Sequence, residues 1–218
     1  MPALFSIIVT TYDRADALDA VLRSLSRQTD RNFEVVIADD GSGPETAALI
    51  GQWKQRLRAP LKQVWHEHRD FRAGEIRNRG IRASAGNYCI FLDGDCIARP
   101  DFVARHRALA EPGWFVTGNR VLLTEPLTAK VLAESLEPEH WSTRDWLGQR
   151  FSGGLNRLAP VLNLLATAYG IGAPTPEHPN ALAAPQATLM ASVAKGLFGG
   201  ELPWTMIAIG AGIGARAA

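Results

Sequence analysis

The stretch YCIFLDGD, Tyr88 to Asp95, decides the fold. Its first half is aromatic and branched, which suits a buried strand. It then ends abruptly in two carboxylates flanking a glycine. Side chains at i and i+2 of a strand point to the same side, so Asp93 and Asp95 converge on one point just past the strand end. Two convergent carboxylates repel each other unless a positive charge lies between them. A hard divalent cation, Mg²⁺ or Mn²⁺, meets that need and keeps positions for water and phosphate oxygens. Gly94 removes a side chain that would crowd such an ion. Asp-Gly is also common turn chemistry, so the pair taken alone reads more readily as a polar turn, and the rest of the chain reverses that preference.

The chain before this stretch alternates strand and helix. Leu4 to Thr11 (LFSIIVTT) is a continuous apolar run, the pattern of a strand buried on both faces. Asp13 is placed to cap a helix whose Leu18, Val21, Leu22 and Leu25 recur at helical spacing. Asn32 to Asp40 (NFEVVIADD) is a second apolar strand ending in acids. Ser42 and Glu45 then form a capping-box pattern ahead of Ala47, Leu49, Ile50 and Trp53. Leu61 to Trp65 reads as a short strand, and His66 to Arg72 as a polar loop. Ala73 to about Ser84 reads as a helix with Ile76 and Ile81 inward. After the acidic stretch, Pro100 opens another helix, and Trp114 to Thr117 reads as one more strand. Such alternation implies βαβ units and an α/β fold with a mostly parallel sheet flanked by helices. Ligands of these sheets bind outside the carboxyl ends of the strands. Three polar clusters fall at predicted strand ends: Thr10-Thr11-Tyr12, Asp39-Asp40 and Asp93-Gly94-Asp95.

The bulk composition is that of a globular protein. The 218 residues carry a net charge of +1, and no basic tract interleaved with aromatics argues for nucleic acid. Cys89 and Cys96 are the two cysteines. Neither belongs to a zinc pattern, so both read as reduced structural thiols in a reducing compartment. The N-terminus has no basic region followed by a long apolar stretch, so no signal peptide is expected. GxGxxG and GxxxxGK[ST] are both absent, which weakens dinucleotide and ATP readings.

The clusters suggest a joint chemistry. Tyr12 offers a ring on which a base could stack, and Thr10 offers a hydroxyl. Asp40, or alternatively Asp39, could accept a hydrogen bond from a base N–H; either could instead cap the next helix or shape its turn. Arg72 and Arg77 offer forks suited to phosphate, and also read as solvated helix-surface residues. His66 and His68 read more simply as solvated loop histidines. Aromatic, acid, arginines and a carboxylate pair together describe a nucleoside diphosphate with a divalent ion.

Residues 4 to about 160 resemble the inverting family 2 glycosyltransferases of GT-A (Rossmann-like) fold. The matching pieces are SIIVTTYDR (Ser6 to Arg14), VVIADDGS (Val35 to Ser42), FRAGEIRNRGI (Phe71 to Ile81) and GNYCIFLDGDC (Gly86 to Cys96). The resemblance implies that Thr10, Tyr12 and Asp40 hold a nucleoside and that Arg72 is near a diphosphate. It also implies that Asp93 and Asp95 handle ribose and metal, with Asp95 the more direct ligand. The expected reaction moves a sugar from a UDP-linked donor to a glycan or lipid-linked acceptor, with Mn²⁺ or Mg²⁺ at the acidic pair. The expected setting is the cytoplasm or the cytoplasmic face of a membrane, with peripheral association. A nucleotidyltransferase of similar topology would instead need a nucleoside triphosphate.

The family places a catalytic Asp or Glu after the acidic strand. Here Glu134, Glu137, Glu139 and Asp145 share a polar stretch with Trp141 and Trp146, none in a pattern that matches the base, and the segment reads as solvated. The catalytic residue is therefore unassigned. That gap raises an alternative reading, a truncated nucleotide-sugar-binding module without catalysis. From Leu158 the composition turns apolar and rich in Gly and Ala. Ala168 to Ala215 resembles part of an oligopeptide-transporter family membrane protein, with Met206 to Ala215 as the opening of a membrane helix. The expected division is a transferase domain over 1–160 and an atypical segment over 161–218, either a fragment of an unrelated gene joined near Leu162 to Thr167 or a divergent or disordered extension.

Overall fold

The computed structural model describes residues 3–69, 72–111, 115–116, 118, 120–155, 206–209 and 212–215, the last two as backbone. In chain order the first elements are β1 (Phe5–Thr11), α1 (Ala15–Ser26), β2 (Phe33–Asp39), α2 (Pro44–Arg56), β3 (Leu61–Trp65), α3 (Ala73–Ala83) and β4 (Tyr88–Asp93). There follow β5 (Cys96–Ala98), α4 (Phe102–Leu109), β6 (Val121–Leu123), α5 (Glu125–Ala133), a 3₁₀ turn at Pro138–His140, α6 (Thr143–Phe151), β7 (Met206–Ile209) and β8 (Gly212–Ala215). The main sheet has the order β3-β2-β1-β4-β7, with every neighbouring pair parallel. A small second sheet runs β5-β8-β6.

The central strands are buried on both faces, which is why they appear as unbroken apolar runs. Phe5, Ile7 and Val9 of β1 join Val35, Ile37, Ile90 and Leu92 on one face; Ile8, Val36, Ala38 and Cys89 pack on the other. The first face is covered by α1. Its Leu18, Val21, Leu22 and Leu25 are fully buried, each stabilising the fold by about 1.5–3 kcal/mol relative to exposure. The opposite face is covered by α3 through Ile76.

Local details depart from the sequence reading. Asp13 does not cap α1: it adopts φ 43°, and its carboxylate accepts from the Gly43 N–H at 2.8 Å, at the start of α2. Ser42 likewise does not close a box with Glu45; its hydroxyl accepts from the Asp13 N–H at 2.9 Å. The ends of β1 and β2 are adjacent, so each turn satisfies the other's donors. Trp114 and Thr117 lie outside the described residues, and the next strand is β6. The region from 134 to 146 is largely exposed, as expected of a solvated segment, but Glu139 and Trp146 are buried. Trp146 is buried in a second cluster with Ile97, Leu123, Leu127 and Val131, and Trp141 packs edge-on against it.

The backbone of residues 206–209 and 212–215 forms strands rather than the opening of a membrane helix. Glycine is a poor helix former, and the interleaved β-branched isoleucines suit a pleated strand. Among the described residues no helix is long and apolar enough to cross a membrane. The expected join near 162–167 lies outside the described residues.

Candidate active site

Parallel pairing sets the site. Thr10 of β1 stands opposite Asp93 of β4, and Thr11 stands opposite Asp39 of β2. The three polar clusters thus meet at one sheet edge, outside the strand carboxyl ends, as the topology predicts.

The acidic pair is held by the backbone. Gly94 donates its N–H to the Thr10 carbonyl at 2.7 Å. A Cβ at Gly94 would lie 2.6 Å from that oxygen, so the glycine is needed for the approach of β4 to β1 and not only for space around an ion. Asp93 carries two arginines: Arg77 Nη2 at 3.0 Å from Oδ1 and Arg120 Nη1 at 3.4 Å from Oδ2. Arg77 also donates through Nε to Thr10 Oγ1 at 3.1 Å, so it ties the ends of β1 and β4 together. Arg120 was not anticipated; it stands just before β6 in a stretch that gave no motif.

Asp95 differs from Asp93. Among the described residues no basic side chain pairs with it, and its one side-chain hydrogen bond is from the Cys96 thiol at 3.5 Å. Burial, and then the charge of Asp93, push its carboxyl above the usual range. Burial and both aspartates push the Cys96 thiol up to about 12, so sulfur stays protonated at neutral pH. Ligand atoms of Asp93, Asp95 and Cys96 lie within 4.8 Å of one another. A half-buried carboxylate with no direct ion pair among the described residues, beside a second carboxylate and a protonated thiol, fits a hard divalent cation bound through oxygen.

On the other side of the edge, Asp40 is buried and held from two directions. His66 Nε2 lies 2.5 Å from Oδ1, and the Arg72 backbone N–H donates to Oδ2 at 3.4 Å. Asp39 is fully buried with both oxygens engaged, by the Ser42 N–H at 2.8 Å and Gln63 Nε2 at 3.0 Å. Its carboxylate shapes the turn into α2, the alternative role that the sequence left open for it. Arg72 turns its guanidinium to Glu75 at 3.0 Å and to the Glu67 carbonyl. Tyr12 is exposed, and its ring stacks on His68 at 4.2 Å with an interplanar angle of 14°. His68 Nδ1 also meets the Asp40 carbonyl at 3.0 Å. The two histidines that composition made unremarkable therefore hold both Asp40 and Tyr12.

Three of the four acids singled out after β5 are engaged elsewhere. Glu137 and Glu139 both pair with Arg27 of α1, the second at 2.9 Å. Asp145 closes a capping box with Ser142 at the start of α6. Glu134 is exposed at the end of α5.

A parallel α/β sheet thus carries a carboxylate pair, two arginines and an exposed aromatic at its carboxyl edge. The chain belongs to the family described as Glycosyl transferase family 2, whose model matches residues 6–156. The model for OPT oligopeptide transporter protein matches residues 158–218. Among curated relatives, validoxylamine A glucosyltransferase of Streptomyces hygroscopicus subsp. jinggangensis is 38% identical over 102 residues, 46% of this chain and 24% of its own length. A PGL/p-HBAD biosynthesis glycosyltransferase of Mycobacterium bovis is 32% identical over 55% of this chain and 47% of its own. The chain thus spans less than half the length of either. A crystal structure of S. aureus TarS 1-349 in complex with UDP-GlcNAc is similar in fold, with a TM-score of 0.50 and 24% identity over 56% of this chain and 36% of that one.

Proposed function

We propose that this chain binds a UDP-linked sugar at the carboxyl edge of its parallel sheet and transfers the sugar to a hydroxyl of a glycan or lipid-linked acceptor. The observation that carries the reading is the convergence of Thr10, Arg77 and Asp93 on one point beside Asp95, whose side chain is met only by the Cys96 thiol among the described residues. Family membership and relatives named for glucosyl transfer support it.

In this reading the free face of Tyr12 receives the base, and Asp40, steadied by His66, accepts from its N–H. Arg77 and Arg72 hold the diphosphate oxygens. Asp93 and Asp95 hold Mn²⁺ or Mg²⁺, with Asp93 also reaching the ribose. When bound, such an ion neutralises charge developing on the leaving diphosphate. The acceptor oxygen forms a bond to the anomeric carbon from the face opposite the leaving group. The bond from that carbon to the diphosphate oxygen breaks, and the acceptor's proton passes to a base. We assign the donor site to residues 1–160 and treat 161–218 as a separate segment. Peripheral contact with a cytoplasmic membrane face would bring a lipid-linked acceptor to this edge.

A second reading, a donor-binding module without transfer, is favoured by one observation: Glu137, Glu139 and Asp145 are all committed to other partners.

The test is a thermal-shift titration with UDP, with and without Mn²⁺, beside Asp95→Ala. A ligand that binds only the folded state raises its melting temperature with occupancy. A Mn²⁺-dependent rise lost in the variant supports the donor site; its absence in a cooperatively melting protein rejects it. Sugar transfer to added acceptors then separates the two readings.

A further inference from the structure

We infer that Arg120 is a further diphosphate ligand beside Arg77 and Arg72, stored on Asp93 until metal and nucleotide arrive together. The inference rests on the donor-site reading above and extends it to a residue outside the matching sequence motifs.

Both oxygens of Asp93 are occupied, one by Arg77 and one by Arg120. The charge of Arg120 also reaches Asp95 and the Cys96 thiol. Its guanidinium, 3.4 Å from Asp93 Oδ2, therefore lies beside the group of ligand atoms that a cation would share. Asp93 and Asp95 carry two negative charges, and Arg77 and Arg120 carry two positive ones, so the free site is balanced. A divalent cation entering alone would face those two guanidiniums and leave the site two charges in excess. A nucleoside diphosphate brings two or three negative charges and gives the guanidiniums somewhere to go. Arg120 and Asp93 are each about half exposed. Ion pairs of that kind are weak, so they exchange easily. A guanidinium on phosphate gains a planar, bidentate partner. Arg77 keeps its Nε bond to Thr10, which leaves Arg120 as the more mobile of the two. Metal and nucleotide are thus coupled: each binds more tightly when the other is present, and Arg120 carries part of that coupling.

The experiment measures two affinities in the full chain and in Arg120→Ala and Arg120→Lys. Free Mn²⁺ is followed by electron paramagnetic resonance without nucleotide, and UDP is titrated calorimetrically at saturating Mn²⁺. Removing a weak competitor predicts that Arg120→Ala binds Mn²⁺ alone about two- to fivefold more tightly. Losing a charge-assisted bond predicts that it binds UDP about ten- to a hundredfold more weakly. Arg120→Lys keeps the charge without the fork, so its Mn²⁺ affinity stays near wild type and its UDP affinity is intermediate. Unchanged UDP affinity in Arg120→Ala overturns the inference, and so does weaker binding of Mn²⁺ alone. Wild-type protein that binds no UDP at any Mn²⁺ concentration overturns the donor-site reading and this inference with it. Wild-type binding that Arg120→Ala leaves intact overturns only the latter.

Discussion

The Thr10 carbonyl accepts the Gly94 N–H at 2.7 Å and leaves no room for a side chain on Gly94. One contact therefore sets the distance between the β1 end, with its hydroxyl and aromatic, and the β4 end, with its acids. Gly94→Ala must push the strands apart, because the blocking atom is backbone. Overpacking of this kind costs about 1–3 kcal/mol. The expected outcome is a lower urea midpoint with unchanged slope, and UDP–Mn²⁺ affinity reduced more than stability alone explains. Wild-type affinity in the variant would show that the strand spacing does not govern the site.

His106 of α4 is buried against Phe102 and Tyr88, with Nδ1 3.2 Å from the Tyr88 hydroxyl. Burial lowers its pKa from 6.5 to about 4. The folded state therefore holds a neutral ring that the unfolded chain protonates below pH 6.5. Stability from this residue is complete above pH 6.5 and is lost as pH falls toward 4, by up to about 3 kcal/mol. His106→Gln should flatten that part of the pH–stability curve measured by urea unfolding. An unaltered slope would assign the acid sensitivity to other groups.

Glu34 of β2 is buried away from the site and gathers Lys62 Nζ at 2.8 Å, the Ser6 hydroxyl at 2.7 Å and the Ala85 N–H. Burial alone would raise its carboxyl pKa, but these donors outweigh it and hold the carboxyl below the usual range. Its contribution is thus present above the unfolded-state pKa and is lost as pH falls through the lower folded value. Glu34→Ala leaves the buried Ser6 hydroxyl without its acceptor and removes the partner of the more exposed Lys62 and Ala85 N–H, and should cost about 1–3 kcal/mol. Glu34→Gln should cost less. Both follow from chemical denaturation at pH 7, and equal losses would mean that the Lys62 charge dominates.

The parallel sheet was legible because β1, β2 and β4 are buried on both faces, which leaves unbroken apolar runs ending in polar residues. The same pattern showed Thr10, Asp93 and Asp95 at one edge. The partners that decide each acid's role were not legible. Asp39 and Asp40 are neighbours in sequence, yet one is engaged by Ser42 and Gln63 and the other by His66. Glu137 and Glu139 look solvated because their partner, Arg27, lies more than a hundred residues earlier. The capping pattern at Ser42 misled for a related reason: the adjacent end of β1 supplies a better donor through Asp13. Short-range rules do not include donors delivered by topology.

The Tyr12–His68 stack leads to the last prediction. The ring of His68 lies nearly parallel to that of Tyr12, and its Nδ1 is anchored on the Asp40 carbonyl. Gly41, at φ 97°, leaves the room: a Cβ there would meet the His68 nitrogen at 2.4 Å. Backbone packing therefore fixes His68, and His68 fixes the orientation of an otherwise exposed Tyr12. If the free face of Tyr12 receives the base, loss of its support raises the ordering cost of binding. Aromatic pairs of this kind are worth about 0.5–1.5 kcal/mol, so His68→Ala should weaken UDP binding about two- to tenfold. His68→Phe keeps the stack and should retain most of the affinity, although it gives up the Asp40 contact. Tyr12→Ala should cost more than His68→Ala, and adding His68→Ala to it should cost little further, because the histidine acts through the tyrosine. Calorimetric titration of the four variants closes this double-mutant cycle. Additive losses would mean that His68 touches the nucleotide directly.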